Sequence, residues 1–206
     1  MAVDTFYLNA GGSGSRRSDA SPYSTVHDAT TMTNDGYGAD DAYTENEAYS
    51  STFQIGRSFL SFDTSALPDN AVIESAVLRL YPVGTTRSGD GASCVIVQST
   101  QASETSLVDG DWDQLGTVSG GSLAYSSMAA GAYREISLNA TGLSWINKTG
   151  FTKLGIRDSG DISNTVPSAG TYNSLMYANG EGGANPPELV VTYSLPAILD
   201  KFFLVL

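Results

Sequence analysis

The sequence predicts an all-β protein, an antiparallel β-sandwich of jelly-roll-like form with one short helix, and three observations carry that expectation. The 206 residues include 22 Gly, 11 Tyr and 7 Phe but only 16% charged residues, a mixture that suits a pleated, half-buried surface broken by turns better than it suits helices. Apolar and polar residues alternate with a period of two in several runs. Gly, Asn, Asp and Pro stand between those runs, as they do between the strands of a sandwich. All-β sandwiches of roughly 200 to 250 residues commonly form one domain, so residues 1–194 are read as one sandwich and residues 195–206 as an apolar C-terminal tail.

The first strand is expected over residues 4–9, followed by the turn-forming Gly11-Gly12-Ser13-Gly14-Ser15. That loop lacks the Lys-Ser/Thr ending and following helix of a phosphate cradle. Residues 16–51 are polar and read as short strands and long surface loops. The clearest pair of strands comes next. Over 53–62, Phe53, Ile55, Arg57, Phe59 and Ser61 share one face and Gln54, Gly56, Ser58, Leu60 and Phe62 the other. Over 72–81, Ala76, Leu78 and Leu80 are read as facing inward. Further strands are expected over 92–99, 132–138, 152–157, 172–178 and 189–193. The helix is expected over 140–147, with Asn139 as its N-cap and Leu143 and Ile146 on one side. Trp145 and Ile146 then cover one end of the core.

The formal net charge of −12 argues against nucleic acid and anionic membranes, whose affinity for proteins comes chiefly from Lys and Arg. The single cysteine, Cys94, lies in the apolar run Ser93-Cys94-Val95-Ile96-Val97 and reads as a small buried hydrophobe. One cysteine and one histidine, His27, build neither a disulfide nor a zinc site. His27 reads as a polar position on a strand, and no nucleophile is paired with it. The run Met1-Ala2-Val3-Asp4-Thr5 lacks the basic and apolar parts of a secretory signal, which leads to an expectation of synthesis in a cytoplasm.

Three groups of residues are candidates for binding. Asp109, Asp111 and Asp113 flank Gly110 and Trp112 in a spacing of oxygen ligands that suits calcium, although the rest of an EF-hand loop is missing. Calcium is the one cofactor the sequence suggests. Tyr37, Tyr43, Tyr49 and Tyr125 stand in loop-like surroundings and are candidates for a glycan-binding face. In the tail, Ile198, Leu199, Phe202, Phe203, Leu204 and Leu206 form an apolar segment too short to span a bilayer. Such a segment needs covering by its own domain or by another chain, as an added strand or as a short helix in a groove.

Three segments carry a resemblance: Arg57-Ser58-Phe59-Leu60-Ser61-Phe62-Asp63-Thr64-Ser65-Ala66-Leu67-Pro68, Ile73-Glu74-Ser75-Ala76-Val77-Leu78-Arg79-Leu80-Tyr81, and Pro187-Glu188-Leu189-Val190-Val191-Thr192-Tyr193. They resemble the DNRLRE-type β-sandwich modules, a group that overlaps with carbohydrate-binding modules of polysaccharide-degrading enzymes and with modules of extracellular adhesive proteins. Residues 107–117 and 136–142 are more similar to proteins of marine phages. The resemblance implies a sandwich that fastens or recognises and does not catalyse. The leading expectation is therefore a bacteriophage virion surface component, a capsid decoration or fibre protein made in the host cytoplasm, whose partners are other virion subunits and host surface polysaccharide. Alternatives are a carbohydrate-binding module of a secreted polysaccharide-active system, an extracellular filament subunit, and a polysaccharide lyase or hydrolase.

Overall fold

Leu60, Phe62, Leu78 and Leu80 are all buried, because two antiparallel sheets close over them. The computed structural model describes residues 1–32, 41–86, 91–178 and 184–196. Its strands, in chain order, are β1 (Ala2–Tyr7), β2 (Gly14–Ala20), β3 (Asp41–Ala48), β4 (Phe53–Asp63), β5 (Val72–Leu80), β6 (Pro82–Thr86), β7 (Ser93–Gln98), β8 (Gly121–Ala124), β9 (Arg134–Ser137), β10 (Phe151–Asp158), β11 (Tyr172–Ala178) and β12 (Glu188–Ser194). One sheet has the order β1-β12-β5-β9. The other runs β6-β11-β3-β4-β10-β7-β8, with β2 also paired to β4. The antiparallel sheets curl into a half-barrel, and the all-β sandwich expected from the sequence is the fold observed.

The inner faces meet in one core. Leu78, Leu80, Ile136, Leu189 and Val191 from the smaller sheet pack against Leu60, Phe62, Ile96, Leu154, Ile156, Leu175 and Tyr177 from the larger. Ala76, Leu78 and Leu80 face inward, as their alternation requires. Cys94 is fully buried on β7, and burial pushes its thiol well above the ordinary range.

One expectation about neighbours fails. Strands β4 and β5 do not pair with each other: β5 pairs with β12 and β9, while β4 belongs to the larger sheet. The turn between them carries the chain from one sheet to the other. In addition β4 is buried on both sides. Ile55 packs with Tyr23, Val26, Met32 and Trp112, and Phe59 packs with Val95, Val97 and Leu115. The segments that supply Trp112 and Leu115 have no strand pattern in the sequence, so this second layer was invisible there.

Helical turns also differ from expectation. Among the described residues there are three single-turn 3-10 segments and three short α-helices: α1 (Tyr23–His27), α2 (Ala140–Leu143) and α3 (Ser159–Ile162). His27 ends α1 and is not on a strand, because Tyr23 and Val26, three residues apart, are the buried positions and that spacing is helical. Asn139 caps α2 as expected, its Oδ1 accepting from the Gly142 N–H at 3.0 Å. The helix stops at Leu143, short of the expected Asn147. Past Ser144, the N–H groups of Trp145 and Ile146 bond three residues back and tighten the turn. Trp145 and Ile146 nonetheless pack against the core.

Candidate functional site

Among the described residues, those singled out in the sequence are not brought together. Asp111 is buried, its Oδ2 accepting from the Val108 N–H at 2.9 Å and its Oδ1 from the Ala102 N–H at 3.3 Å. Asp109 and Asp113 are exposed. The Asp111 carboxylate thus serves the backbone of its own loop, and among the described residues no three His, Cys, Asp or Glu side chains gather where they could hold a metal ion. The calcium site expected at Asp109, Asp111 and Asp113 is not assembled. Tyr125 is 2% exposed and belongs to the core, so it presents no aromatic face to a glycan. Tyr43 is half-buried on β3. Tyr49 is exposed and meets Tyr172 edge-on at 5.2 Å. Tyr37 and the apolar residues Ile198, Leu199, Phe202, Phe203, Leu204 and Leu206 lie outside the described residues.

Carboxylates crowd the strand that carries Tyr43. The Tyr49 hydroxyl donates to Glu47 Oε2 at 2.7 Å. Glu45 is buried opposite Gly56, and its Oε1 lies 3.4 Å from Arg17 Nε. Burial, with Glu47 beside it, pushes the Glu45 carboxyl up to about 7 despite the Arg17 guanidinium.

A second group of charges sits on the outer side of β4. Arg57 donates from Nε to Asp161 Oδ2 at 2.9 Å and from Nη2 to Asp161 Oδ1 at 2.8 Å, and also to the carbonyls of Trp112 and His27. Arg157 Nε meets the same Asp161 Oδ2 at 2.7 Å, and its remaining donors reach the carbonyls of Leu115, Gly116 and Asp161. The Arg57 guanidinium also lies 4.3 Å from the centre of the Trp112 ring. His27 joins the group through Nε2, 2.9 Å from the Asp161 carbonyl oxygen. Two guanidinium groups hold the Asp161 carboxyl down at about 2, although burial opposes them. A cavity of about 270 Å³ adjoins these residues. The guanidinium donors that line it are already committed to protein oxygens, so this group is a knot that pins α1, α3 and the Trp112 loop to the sheet.

The third place is a fork in the larger sheet. The register of β3 with β4 ends at Glu45 and Gly56, and that of β10 with β4 begins at Ile156 and Ser58. Where β3 and β10 divide the length of β4, side chains replace the ladder. Thr44 Oγ1 and Ser58 Oγ are 2.9 Å apart, and Asn46 Nδ2 donates to Asp158 Oδ1 at 3.2 Å. Asp158 also caps α3 by accepting from the Gly160 N–H at 2.6 Å. A Cβ at Gly160 would stand 2.6 Å from Asn46 Nδ2 and 2.9 Å from Asp158 Oδ1, so both side chains would have to shift to admit one. Both side chains are left incomplete: Asn46 Oδ1 and Asp158 Oδ2 are buried without a hydrogen-bond partner. The Tyr125 hydroxyl lies near enough to lower the proton affinity of Asp158 but makes no hydrogen bond of good geometry. Burial outweighs these donors and raises the Asp158 carboxyl to about 6.

An open cleft of about 450 Å³ lies over this fork, lined by Asn46, Asp158, Asn173, Ser159, Ser163 and Thr165, with Gly91, Ala92, Gly160 and Pro167. Its chemistry is that of amides, hydroxyls and one carboxylate, a set that forms hydrogen bonds in both directions. None of these residues stood out in the sequence. The one available signal was the Asp-Ser-Gly-Asp run 158–161 directly after a strand, which marks a capped turn. No family model and no curated protein matches the chain.

Proposed function

We propose that this chain is a non-enzymatic structural and adhesive protein, a component of a bacteriophage virion surface, which recognises a glycan through the cleft at the β3–β10 fork. The observation that carries the recognition is the cleft's lining: the exposed hydroxyls of Ser163 and Thr165 at its rim, over amide and carboxylate groups buried beneath them. A polyhydroxylated ligand offers both donors and acceptors to such a polar rim. Among the described residues Asp158 is the one carboxylate of the lining, whereas glycoside hydrolysis ordinarily needs two, and on this the binding reading is preferred. The virion setting rests on the resemblance of residues 107–117 and 136–142 to phage proteins. Among the described residues no helix is long and apolar enough to cross a membrane.

The test is calorimetry against a panel of polysaccharides and their oligomers, with Ser163→Ala and Thr165→Val as variants at exposed rim positions. Saturable binding by the parent protein, weakened about five- to tenfold in each variant, is expected from the loss of one hydrogen bond. Absence of binding across the panel, or binding that both variants leave untouched, removes the cleft from the proposal. Detectable cleavage of any polysaccharide removes its non-enzymatic part.

A further inference from the structure

We infer that the outer edge of β1 takes residues 197–206 of a second copy of this chain as an added strand. The inference rests on the structural-protein half of the proposed function. Among the described residues five strands have an open side: β1, β9, β6 and β8 at the ends of the two sheets, and β2, which pairs only with β4. An open edge shows unpaired N–H and C=O groups, and proteins normally blunt it with short strands, prolines or charges.

Four of the five are blunted. Strand β6 begins with Pro82, β8 and β9 are four residues long, β9 carries Arg134 and Glu135, and β2 carries Arg16, Arg17 and Asp19. Strand β1 is not. Its six residues, Ala-Val-Asp-Thr-Phe-Tyr, contain no proline and no basic residue. Its one charge, Asp4, accepts a hydrogen bond from the Tyr193 hydroxyl at 3.0 Å on the side already paired with β12. Val3 and Tyr7 are 60% and 59% exposed. A regular, β-prone edge of this length is a template for another strand.

The occupant is indicated by the rest of the chain. Strand β12 ends at Ser194, and Pro196, which has no N–H, prevents the ladder from continuing. Beyond it lie ten residues, Ala-Ile-Leu-Asp-Lys-Phe-Phe-Leu-Val-Leu. At about 3.3 Å per residue they would reach roughly 33 Å, more than the roughly 20 Å of a six-residue strand. Their last five residues are apolar at every position, as in a strand covered on both faces. Such a contact runs head to tail, from the tail of one subunit to the edge of the next, and builds a ring or a filament according to whether the rotation closes.

Light scattering after size exclusion compares the intact chain, a chain ending at Tyr193, and an intact Val3→Lys/Thr5→Lys chain, both changes lying at exposed positions. The intact chain is expected to assemble, and the other two are expected to be folded monomers by circular dichroism. Amide exchange should protect β1 in the assembled chain and release it in the truncated one. A monomeric intact chain overturns the inference, whether or not its tail protects β1, since protection within a monomer means that the tail folds back. Assembly that survives truncation or the lysines overturns it as well. Glycan binding by the monomeric truncated chain reports separately on the cleft, so either proposal can fail alone.

Discussion

Asp158 and Asp161 stand three residues apart around one short helix, both fully buried, and they are opposite in kind. Asp161 receives two guanidinium groups, and its carboxyl is held at about 2. Asp158 accepts from one amide and one backbone N–H, is approached more loosely by the Tyr125 hydroxyl and the Asp161 N–H, has no cation beside it among the described residues, and is raised by burial to about 6. A buried carboxylate costs several kcal/mol of desolvation unless its surroundings return it. At Asp161 they do so, and the result is a rigid knot whose donors are used up. At Asp158 the compensation is partial, and the carboxylate lies buried directly beneath an open cleft. Burial and proximity in sequence are the same for both, so what separates a structural charge from a candidate binding one is the count of donors left over.

The largest effect expected from this difference is at the knot. Arg57→Ala removes one of the two guanidiniums from Asp161 and strips the cover from the Trp112 ring. Breaking a buried ion pair from one side costs about 3–5 kcal/mol, which chemical denaturation would read as a lowered midpoint. A loss under about 1 kcal/mol would mean that Arg157 alone satisfies Asp161.

The pH profile separates the two carboxylates next. Asp158 and Glu45 have folded values of about 6 and about 7, above their ordinary ones, so the folded state binds more protons than the unfolded one between about pH 4 and pH 7. Their contribution is full below the unfolded values and is lost as the pH rises through the folded ones. Asp161 has the reverse sign: its contribution is present above about pH 4 and is lost as the pH falls toward 2. Stability should therefore peak at mildly acid pH and decline toward pH 7, by on the order of 2–3 kcal/mol for each raised group as an upper bound. Thermal melts between pH 3 and pH 8 that are flat or rising from pH 5 to pH 7 would contradict this.

How much of this was legible depends on how far each feature reaches along the chain. The inward faces of β5 and β12 were readable because Ala76, Leu78 and Leu80, and Leu189 and Val191, follow the strand period locally. The assignment of β4 and β5 to different sheets was not, since an alternating pattern fixes a face and leaves the neighbour open. Nor was α1, whose helical turn is set by what covers Ile55. The contrast between the two aspartates was out of reach for the same reason. Arg57, which settles Asp161, comes from 104 positions away, and Asn46, which meets Asp158, from 112. Of the four tyrosines chosen for their loop-like surroundings, the three among the described residues, Tyr43, Tyr49 and Tyr125, are exposed or buried according to packing that the local sequence does not encode.

The smallest effect is the most discriminating. Asp158→Asn keeps an oxygen to cap the Gly160 N–H but removes the charge, so at pH 7.5 it should stabilise the protein by about 1–2 kcal/mol, a discounted fraction of the roughly 1.4 kcal/mol per unit that the raised value implies. At pH 4 the parent carboxyl is itself mostly protonated, and the two proteins should be equally stable. The corresponding Asp161→Asn, by contrast, leaves two buried guanidiniums without their counter-charge and should destabilise at both pH values. If Asp158→Asn also destabilises at pH 7.5, the charge of Asp158 is met by a donor inside the protein, Tyr125 being the nearest candidate, and the cleft loses its claim to an unmet acceptor. A gain at pH 7.5 accompanied by loss of glycan binding would instead show stability given up at the fork for recognition, the trade expected of a binding site.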